Sequence, residues 1–356
     1  MIQEISINNF KQLTALTLEQ VTPITIIGGK NNTGKTTLLE ALFMFYDRAH
    51  PEVILRHRHW RGVNEIDLSP QHLWAPIFHA YDMQKTVSIS IKADNQHEQL
   101  VIKHNGELKR FIKTTPLDER VLKTKALHSS FPTESLDFNY FLEGKPTGDA
   151  HCMIDGEQLG IELNNVKPSQ KNITYISSVT QIDPNEDAIR FGQLDIEGRV
   201  LELIDGLQLI EPRLKSLSSI SHGNHSLIYG DLGSGKKMPL SFMGEGTAKL
   251  LSIMLAIATS QGGIVLIDEL ENGVHYSVHP KLWPLLMTFS KQYDCQLFLT
   301  THSYELIQSL KGAVDDKQDN DYLSYVRLDN NQGVSKPKTY QLDMLFSAIE
   351  RDWEIR

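Results

Sequence analysis

Residues 29–36 of the chain, GKNNTGKT, have the types and spacing of a phosphate-binding loop. They follow the apolar run 24–27 and precede a segment with apolar residues at helical spacing, which is the context that such a loop requires. The glycines let the backbone curl so that successive N–H groups point at phosphate oxygens, and the following helix adds a favourable dipole. Lys35 can then reach the β and γ phosphates, and the hydroxyl of Thr36 can bind Mg²⁺. We expect the phosphates to be bound by Gly29, Asn31, Asn32, Thr33, Gly34, Lys35, Thr36 and Thr37.

A second segment, residues 230–236 with the sequence GDLGSGK, matches the first seven positions of the same pattern. Its next residue is Lys237 rather than a serine or threonine, so it offers no hydroxyl to Mg²⁺. The flanking residues alternate between polar and apolar types, which is typical of a hairpin and not of a helix. We therefore interpret this segment as a turn.

Two acids, Asp268 and Glu269, follow the apolar run 264–267. A buried strand over that run would place both carboxylates at its C-terminal end. Asp268 could hold Mg²⁺ there, and Glu269 could take a proton from an attacking water. Strands that end in acids are common, and it is the combination with a phosphate loop that favours the catalytic interpretation.

His302 lies just past another apolar run, in CQLFLTTHS, 33 residues after Glu269. A lone histidine is more often structural than catalytic. The end of a parallel strand, however, lies at the ligand-binding edge of its sheet, and this position favours a role at the site.

Ser241, Gly244 and Gly246 immediately precede a helical pattern that continues as AKLLSIMLAIA. A serine and two glycines at a helix N-terminus form a second anion cradle, although a simple helix cap uses the same residues. One γ-phosphate does not need two cradles from one subunit. The economical explanation is that this cradle contacts a nucleotide bound by another copy of the chain.

The composition leads us to expect a cytoplasmic protein. The chain has 356 residues, a formal charge of −9 and two cysteines, too few for a disulfide framework. It shows no signal-peptide pattern and no apolar run of membrane-spanning length. The acidity argues against nucleic acid coating the whole surface, but residues 51–130 hold 12 lysines and arginines against 9 acids. DNA or RNA contact is expected only near the basic residues of 103–125: Lys103, Lys109, Arg110, Lys113, Arg120, Lys123 and Lys125.

The hydrophobic pattern predicts the elements that must position these residues. In the last third of the chain strands and helices alternate, which gives a parallel sheet covered by helices. Residues 86–111 alternate polar and apolar types and contain Asn105-Gly106, a hairpin signal, so we expect an antiparallel patch. We interpret residues 112–172 as loops and short helices, residues 174–179 as a buried strand and residues 196–217 as a helix.

Five segments together resemble the ABC-type ATPase head, in the branch that contains RecF, SMC/Rad-type and OLD proteins: INNFKQL, GKNNTGKTTLLEAL, LSFMGEGT, IDELENGVHYSV and FLTTHS. Within it, the chain is most similar to the small bacterial AAA-labelled ATPases related to OLD. The resemblance implies Mg²⁺-dependent ATP hydrolysis in a homodimer, with each ATP held between the phosphate loop of one copy and residues 241–246 of the other. It also implies a D-loop at Asn272, Gly273 and His275 and a switch histidine at His302. A glutamine-loop residue is expected between Lys35 and Ser241; its position stays open, with Gln181 as one candidate.

The fold implied by the resemblance is one α/β ATPase head over residues 1–356. It would have a mainly parallel sheet flanked by helices, an antiparallel β patch and a helical insertion. Residues 1–50 and 225–356 would form the nucleotide-binding core, and residues 51–224 the antiparallel lobe and the insertion. The sequence shows neither the long coiled coil of SMC/Rad-type proteins nor the Toprim nuclease domain of OLD proteins.

The implied function is an ATP-driven switch that controls a separately encoded effector, such as a nuclease or toxin, or acts on DNA. Anti-phage defence and DNA repair or maintenance are the expected settings. The alternative is the nucleotide-binding subunit of a membrane transporter. Residues 56–61, RHRHWR, could contact nucleic acid or form a solvated loop, and His57 with His59 is a weak metal signal.

Overall fold

The computed structural model describes residues 1–48, 50, 53–61, 68–109, 133–155, 158–178, 184–223, 225–331 and 334–355. The strands are β1 (Ile2–Phe10), β2 (Leu13–Leu18), β3 (Ile24–Gly28), β4 (Val87–Ala93), β5 (Gln96–Lys109), β6 (Thr133–Leu142), β7 (Lys145–Asp155), β8 (Gln158–Asn164), β9 (Ile173–Ile176), β10 (Ser216–His222), β11 (His225–Asp231), β12 (Lys237–Pro239), β13 (Ile264–Ile267), β14 (Gln296–Thr300), β15 (Leu323–Asn331) and β16 (Val334–Tyr340). The α-helices are α1 (Lys35–Tyr46), α2 (Val53–Trp60), α3 (Pro70–Leu73), α4 (Pro184–Ile196), α5 (Val200–Leu207), α6 (Glu245–Ala258), α7 (His279–Gln292), α8 (Tyr304–Gln308) and α9 (Leu342–Glu350). Single 3-10 turns span Ala75–Ile77, His79–Tyr81, Leu240–Met243 and Tyr276–Val278.

The chain divides into two compact units, which we call the antiparallel unit and the parallel unit after their main sheets. The antiparallel unit comprises Met1–Thr22, Lys30–Lys171 and Leu328–Lys338. The parallel unit comprises Pro23–Gly29, Asn172–Arg327 and Thr339–Arg356. The chain therefore passes from the parallel unit into the antiparallel unit within the phosphate loop.

The sheet of the antiparallel unit has seven strands in the order β2-β1-β4-β5-β6-β7-β8. Alternation of residue types along its strands sets its buried face. Ile5 and Ile7 of β1 are buried and lie opposite Ile91 and Ile89 of β4. Such cross-strand apolar pairs are the units that stabilise an antiparallel sheet.

The turn between β4 and β5 lies at Asp94-Asn95 and not at Asn105-Gly106, where the sequence predicted it. Both residues of the actual turn have positive φ, 51° and 64°, as a tight two-residue hairpin requires. β5 runs through Asn105-Gly106 and pairs with β6 on both sides of it, with a register irregularity at that point. The Asn-Gly pair thus marks an irregularity in the ladder.

The prediction of loops and short helices for residues 112–172 is wrong for the described strands β6, β7 and β8. Their polar residues hide the alternation because they pair across the sheet. His151 of β7 contacts Asp137 of β6 (Nδ1–Oδ1 2.6 Å) and Asp149 of its own strand (Nε2–Oδ2 2.8 Å). The largest sheet of the described residues is therefore antiparallel, and the expectation of a mainly parallel fold holds for only one of the two main sheets.

The second main sheet has the order β16-β15-β3-β14-β13-β9, in which the last five strands run parallel to one another. Every residue of β3, β13 and β14 is buried, which is typical of a parallel sheet with both faces covered. The long helices α6 and α7 contribute apolar residues to the same core, among them Leu255 and Leu286. This alternation of strands and helices agrees with the prediction.

The predicted helix over residues 196–217 is only partly right. α5 ends at Leu207, and the chain turns around Pro212 before entering β10, the first strand of a small antiparallel sheet with the order β10-β11-β12. Leu214 and Leu217 are buried without being helical, so they extended the apolar spacing past the true helix end. Among the helices in the described part of the chain, none is long and apolar enough to cross a membrane.

Candidate functional site

Three parallel strands of one sheet end at the edge where the predicted site residues lie. Ile27 of β3 pairs with Thr300 of β14, and Ile267 of β13 pairs with Leu299 of β14. Because the strands are parallel and in this register, the segments that follow them leave the sheet at the same edge. The first residues beyond that edge are therefore Gly29, the acidic pair 268–269 and residues 301–302. Carboxyl ends of parallel strands are the usual ligand-binding edge of such sheets.

The phosphate loop curls back on itself, as its sequence predicted. The side chain of Lys35 is buried, and its ammonium group donates to the carbonyl of Lys30 (2.8 Å). The hydroxyl of Thr33 donates to the same carbonyl (2.9 Å). Gly34 has φ 105°, and a Cβ at this position would lie 2.5 Å from Leu13 Cδ2, so only glycine suits the loop here.

The N-terminus of α1, which follows the loop, suits an anion. Gly34 is its N-cap, no side chain among the described residues caps it, and its first turn has no acid. The first N–H groups of a helix lack intrahelical acceptors, and the helix dipole favours negative charge at this end. A phosphate group therefore fits this loop, and the Thr36 hydroxyl that follows is an oxygen ligand of the kind that Mg²⁺ takes.

Two neighbouring strands, β15 and β16, support the phosphate loop, and no pattern in the sequence indicated this support. The buried hydroxyl of Ser335 donates to the carbonyl of Thr33 (2.8 Å). The amide of Asn330 donates to the carbonyl of Asn32 (3.4 Å). These residues lie about 300 positions away along the chain, so no local pattern could have shown the contacts.

Asp268 is buried and its carboxylate is fixed by hydroxyl groups. Thr300 donates to Oδ1 (2.6 Å), and Ser178 donates to Oδ2 (3.0 Å). These hydrogen bonds give the carboxylate a defined orientation. The sequence indicated Asp268 but neither hydroxyl, because Ser178 and Thr300 reach it only through strand pairing.

Glu269 and His302 lie together at the same edge. His302 Nε2 is 3.5 Å from Glu269 Oε1, and Asn272 donates to Glu269 Oε2 (2.5 Å). Both the histidine and the glutamate side chains are about one-third exposed, so they remain accessible. The main-chain N–H of His302 is held by Glu271 Oε1 (2.6 Å), a carboxylate that the sequence analysis did not single out.

A buried lysine of α6 contacts this acidic turn. The Lys249 ammonium group donates to the main-chain carbonyl of Glu269 (2.7 Å). Burial lowers the pKa of Lys249 to about 8, although the carboxylates of Glu271, Glu269 and Asp268 act in the opposite direction. The lysine was missed because a single lysine in an amphipathic helix is ordinarily solvated.

The predicted second cradle lies at the start of α6. Ser241 is in the 3-10 turn before it and is exposed, and Gly244 is the N-cap, with φ 119° and no side-chain cap among the described residues. Gly246 lies so close to the turn after Glu269 that a Cβ on it would be 2.6 Å from the Gly273 carbonyl oxygen. The cradle and the acidic turn are thus neighbours within the parallel unit.

Comparison with protein families gives a match over residues 24–308 to the family described as AAA domain, putative AbiEii toxin, Type IV TA system. The chain belongs to this family. The match covers the phosphate loop, the second cradle, both acids and His302, so all the predicted site residues lie inside the family domain. The chain accordingly contains an ATPase-type domain.

Two curated relatives and one solved structure extend this assignment. An "ATP/GTP phosphatase" of Helicobacter pylori is 24% identical over 99% of this chain and 99% of its own length. An uncharacterized protein of Methanocaldococcus jannaschii is 26% identical over 64% of this chain and 95% of its own. The crystal structure of an SMC head bound to the C-winged helix domain of ScpA has a TM-score of 0.54 at 12% identity, covering 97% of this chain and 99% of that one. The fold is therefore an α/β fold of the SMC ATPase head type.

The remaining predicted positions in this family member fall outside the site or outside the described residues. In the segment 56–61, His57 is buried in α2, and the half-exposed Arg61 pairs with Glu40. The described residues contain no cluster of three or more His, Cys, Asp or Glu side chains that could hold a metal ion. Lys103 is exposed on β5. Gln181 and the basic positions Arg110, Lys113, Arg120, Lys123 and Lys125 lie outside the described residues.

Proposed function

We propose that the protein is a Mg²⁺-dependent ATPase that dimerises around ATP and acts as a switch for a partner. The observation that carries the proposal is the convergence of Asp268, Glu269 and His302 at the sheet edge from which the phosphate loop departs. The relative named as an ATP/GTP phosphatase, which aligns with the full chain, supports nucleotide hydrolysis.

Each predicted site residue has one proposed role in ATP hydrolysis. When bound, Mg²⁺-ATP supplies the scissile γ-phosphate and a cation that neutralises its charge. Thr36 and Asp268 are the residues proposed to hold the metal ion, and Lys35 the residue that contacts the phosphates. Glu269 would take a proton from the attacking water, since its carboxylate is accessible and is oriented by Asn272.

Dimerisation is supported by the exposure of the second cradle. Ser241 and Gly244 are exposed at the start of a helix whose N-terminal N–H groups suit an anion. We propose that they contact the nucleotide bound by a second copy, with Gly246, Asn272, Gly273 and His275 at the same interface.

Control of a protein partner is supported by the SMC head structure, which was solved in complex with a domain of ScpA. The partner of this chain would be a separately encoded effector, and the setting anti-phage defence or DNA maintenance, as in proteins of the OLD type. Contact with DNA or RNA through the basic residues of 103–125 is a further part of the proposal. The transporter-subunit alternative gains no support from the relatives described above, and we do not propose it.

The decisive experiment is steady-state ATP hydrolysis by the purified chain and by Glu269→Gln. We expect Glu269→Gln to lower kcat at least 100-fold, about 2.7 kcal/mol in barrier, while ATP affinity stays within threefold of wild type. The variant should also accumulate as an ATP-bound dimer in light scattering, because the base is lost while metal and nucleotide binding survive. Wild-type turnover in Glu269→Gln would refute the assignment of the base.

Ser241→Arg tests the dimer separately. The exposed position should accept arginine without unfolding, so ATP binding by one copy should persist. Dimerisation and turnover should both be lost because the added side chain would occupy the place of the second copy's nucleotide. Normal turnover in this variant would refute the contact across the dimer.

A further inference from the structure

Lys249 makes a contact that the roles proposed above do not use. Its side chain is 7% exposed, and its ammonium group donates to the main-chain carbonyl of Glu269 at 2.7 Å. A buried ammonium group is costly unless it has hydrogen-bond acceptors, so a lysine at this place needs a defined partner. That partner is the backbone of the residue proposed as the catalytic base.

The backbone of Glu269 has an unfavourable conformation. Its φ is 50°, in the left-handed region that a residue with a Cβ rarely adopts. The contacts around it hold this conformation: its N–H donates to Thr300 Oγ1 (2.8 Å), and its carbonyl accepts from Lys249 and from the N–H of Asn272 (3.1 Å). Strained backbone of this kind persists only where its surroundings fix it.

The helix that carries Lys249 also contacts the acidic turn one helical turn earlier. Gly246 packs against the carbonyl of Gly273 so closely that a Cβ would clash with it. Two contacts, one in each of the first two turns of α6, therefore join this helix to residues 269–273. A shift of the start of α6 would move the carbonyl of Glu269 with it.

We propose that Lys249 is a positioning residue that couples the N-terminal end of α6 to Glu269. The inference rests on the proposed function, since it concerns the same site. A nucleotide of the second copy that docks against residues 241–246 would fix α6, and Lys249 would pass that constraint to the backbone of the base in its own chain. Hydrolysis in each copy would then depend on the presence of the other.

The test compares Lys249→Met, which keeps the bulk of the side chain but removes the donor, with a matched control, Lys281→Met. Lys281 of α7 also donates to a main-chain carbonyl, that of Leu209 (3.0 Å), but at an exposed place away from Glu269. We expect Lys249→Met to lower kcat at least tenfold with KM for ATP changed less than twofold. Lys281→Met should leave both constants unchanged, and Lys249→Arg, which keeps a donor, should recover at least a quarter of the wild-type kcat.

A double variant shows whether Lys249 acts through Glu269. In single-turnover assays, Lys249→Met added to Glu269→Gln should slow the reaction less than twofold further, because the base that it positions is already absent. A further tenfold loss in the double variant, or an unchanged kcat in Lys249→Met, would overturn the inference while leaving the ATPase proposal standing. If Lys249→Met does not fold, Lys249→Gln, whose shorter amide does not reach the carbonyl, replaces it with the same expected results. A wild-type chain without ATP hydrolysis would instead refute the proposed function, and the inference with it.

Discussion

Two glycine-rich loops of this chain match the same seven-residue pattern, and only the first has the surroundings of a phosphate site. In the first loop, residues 29–36, Gly34 is the N-cap of the twelve-residue helix α1, and Lys35 is buried. The second, residues 230–236, joins β11 to β12, and Lys236 is exposed. Both loops therefore have the glycines and the lysine of the pattern, but only the first is followed by a helix N-terminus that suits an anion.

The residue at the second position of the pattern also differs between the two loops. It is Lys30 in the first loop and Asp231 in the second. The Asp231 carboxylate accepts the N–H groups of Gly233 (2.9 Å), Ser234 (3.0 Å) and Gly235 (3.1 Å). The second loop therefore directs its N–H groups at its own carboxylate, which takes the place that a phosphate would need.

The largest expected effect concerns the helix that the first loop has and the second lacks. Burial raises the pKa of Glu40 in α1, but the charge of Lys11 (2.8 Å) and the two bonds from Arg61 (both 2.7 Å) lower it overall, to about 2. Glu40→Gln would leave the largely buried Lys11 and the half-exposed Arg61 without their carboxylate. The loss should cost roughly 3–5 kcal/mol in the free energy of unfolding at pH 7. Urea denaturation measures this loss.

The pH dependence of that loss follows from the direction of the shift. Because the pKa of Glu40 in the folded state is below the unfolded value of 4.5, its contribution is complete above pH 4.5 and is lost as pH falls towards 2. The difference between wild type and Glu40→Gln should therefore shrink over that range. Glu350→Gln, in an exposed pair with Lys311, is the control and should show no measurable change. A stability difference between wild type and Glu40→Gln that does not change with pH would contradict the stabilising role of the Glu40 charge.

The second effect compares glycines at equivalent positions of the two loops. Gly34→Ala meets both a φ of 105° and a contact of 2.5 Å to Leu13, and should destabilise the chain by roughly 2–4 kcal/mol and abolish ATP binding. Gly235→Ala meets a φ of 73° but open space, and should cost only about 1 kcal/mol with no effect on ATP. Urea denaturation and calorimetric titration with ATP measure the two quantities. Equal losses of stability and of ATP binding in Gly34→Ala and Gly235→Ala would contradict the difference between the two loops.

The third effect compares the two lysines. Lys35→Ala should raise the Kd for ATP about 100-fold, about 2.7 kcal/mol, because the charge that we propose to contact the phosphates is lost. Lys236→Ala should change Kd less than twofold, since that lysine is exposed in a turn. Titration calorimetry gives both values, and a weakened Lys236→Ala would show that the second loop binds nucleotide after all.

A smaller effect is expected at β16, the strand whose Ser335 contacts the first loop. Ser335→Ala removes the donor to the Thr33 carbonyl and should cost about 1–2 kcal/mol in stability, with Kd for ATP raised roughly threefold to tenfold. Ser234→Ala in the second loop is the matched control, because Ser234 is exposed and its hydroxyl contacts only its own turn. An unchanged ATP affinity in Ser335→Ala would show that the contact from β16 does not shape the phosphate loop.

The smallest effect is expected for Asp231→Ala. Loss of three hydrogen bonds to an exposed carboxylate should destabilise the chain by about 1 kcal/mol and leave ATP stoichiometry at one per chain. A second bound nucleotide in this variant, seen by calorimetry, would mean that the carboxylate alone excludes phosphate from the second loop. The absence of a helix would then be irrelevant.

Much of the fold was predictable where one local signal dominates. The runs that became β3, β13 and β14 are mostly apolar, and the segments that became α1, α6 and α7 are long and rich in apolar residues, so their types were assigned correctly. The strands β6, β7 and β8 were missed because residues such as Asp137 and His151 are polar yet partly buried, and their partners lie on other strands. At Asn105-Gly106 a strong turn signal was overruled by pairing with β6 on both sides.

Local motifs indicate which residues could do the chemistry, because Lys35, Thr36, Asp268 and Glu269 are recognised from neighbours a few positions away. The residue after the lysine and the alternation of the flanks also distinguish the two loops. The groups that hold those residues in place are visible only in the folded chain. Thr300, Ser178, Ser335 and Lys249 act across strands and helices that are distant along the chain, and such contacts leave no spacing in the sequence because they depend on register and packing.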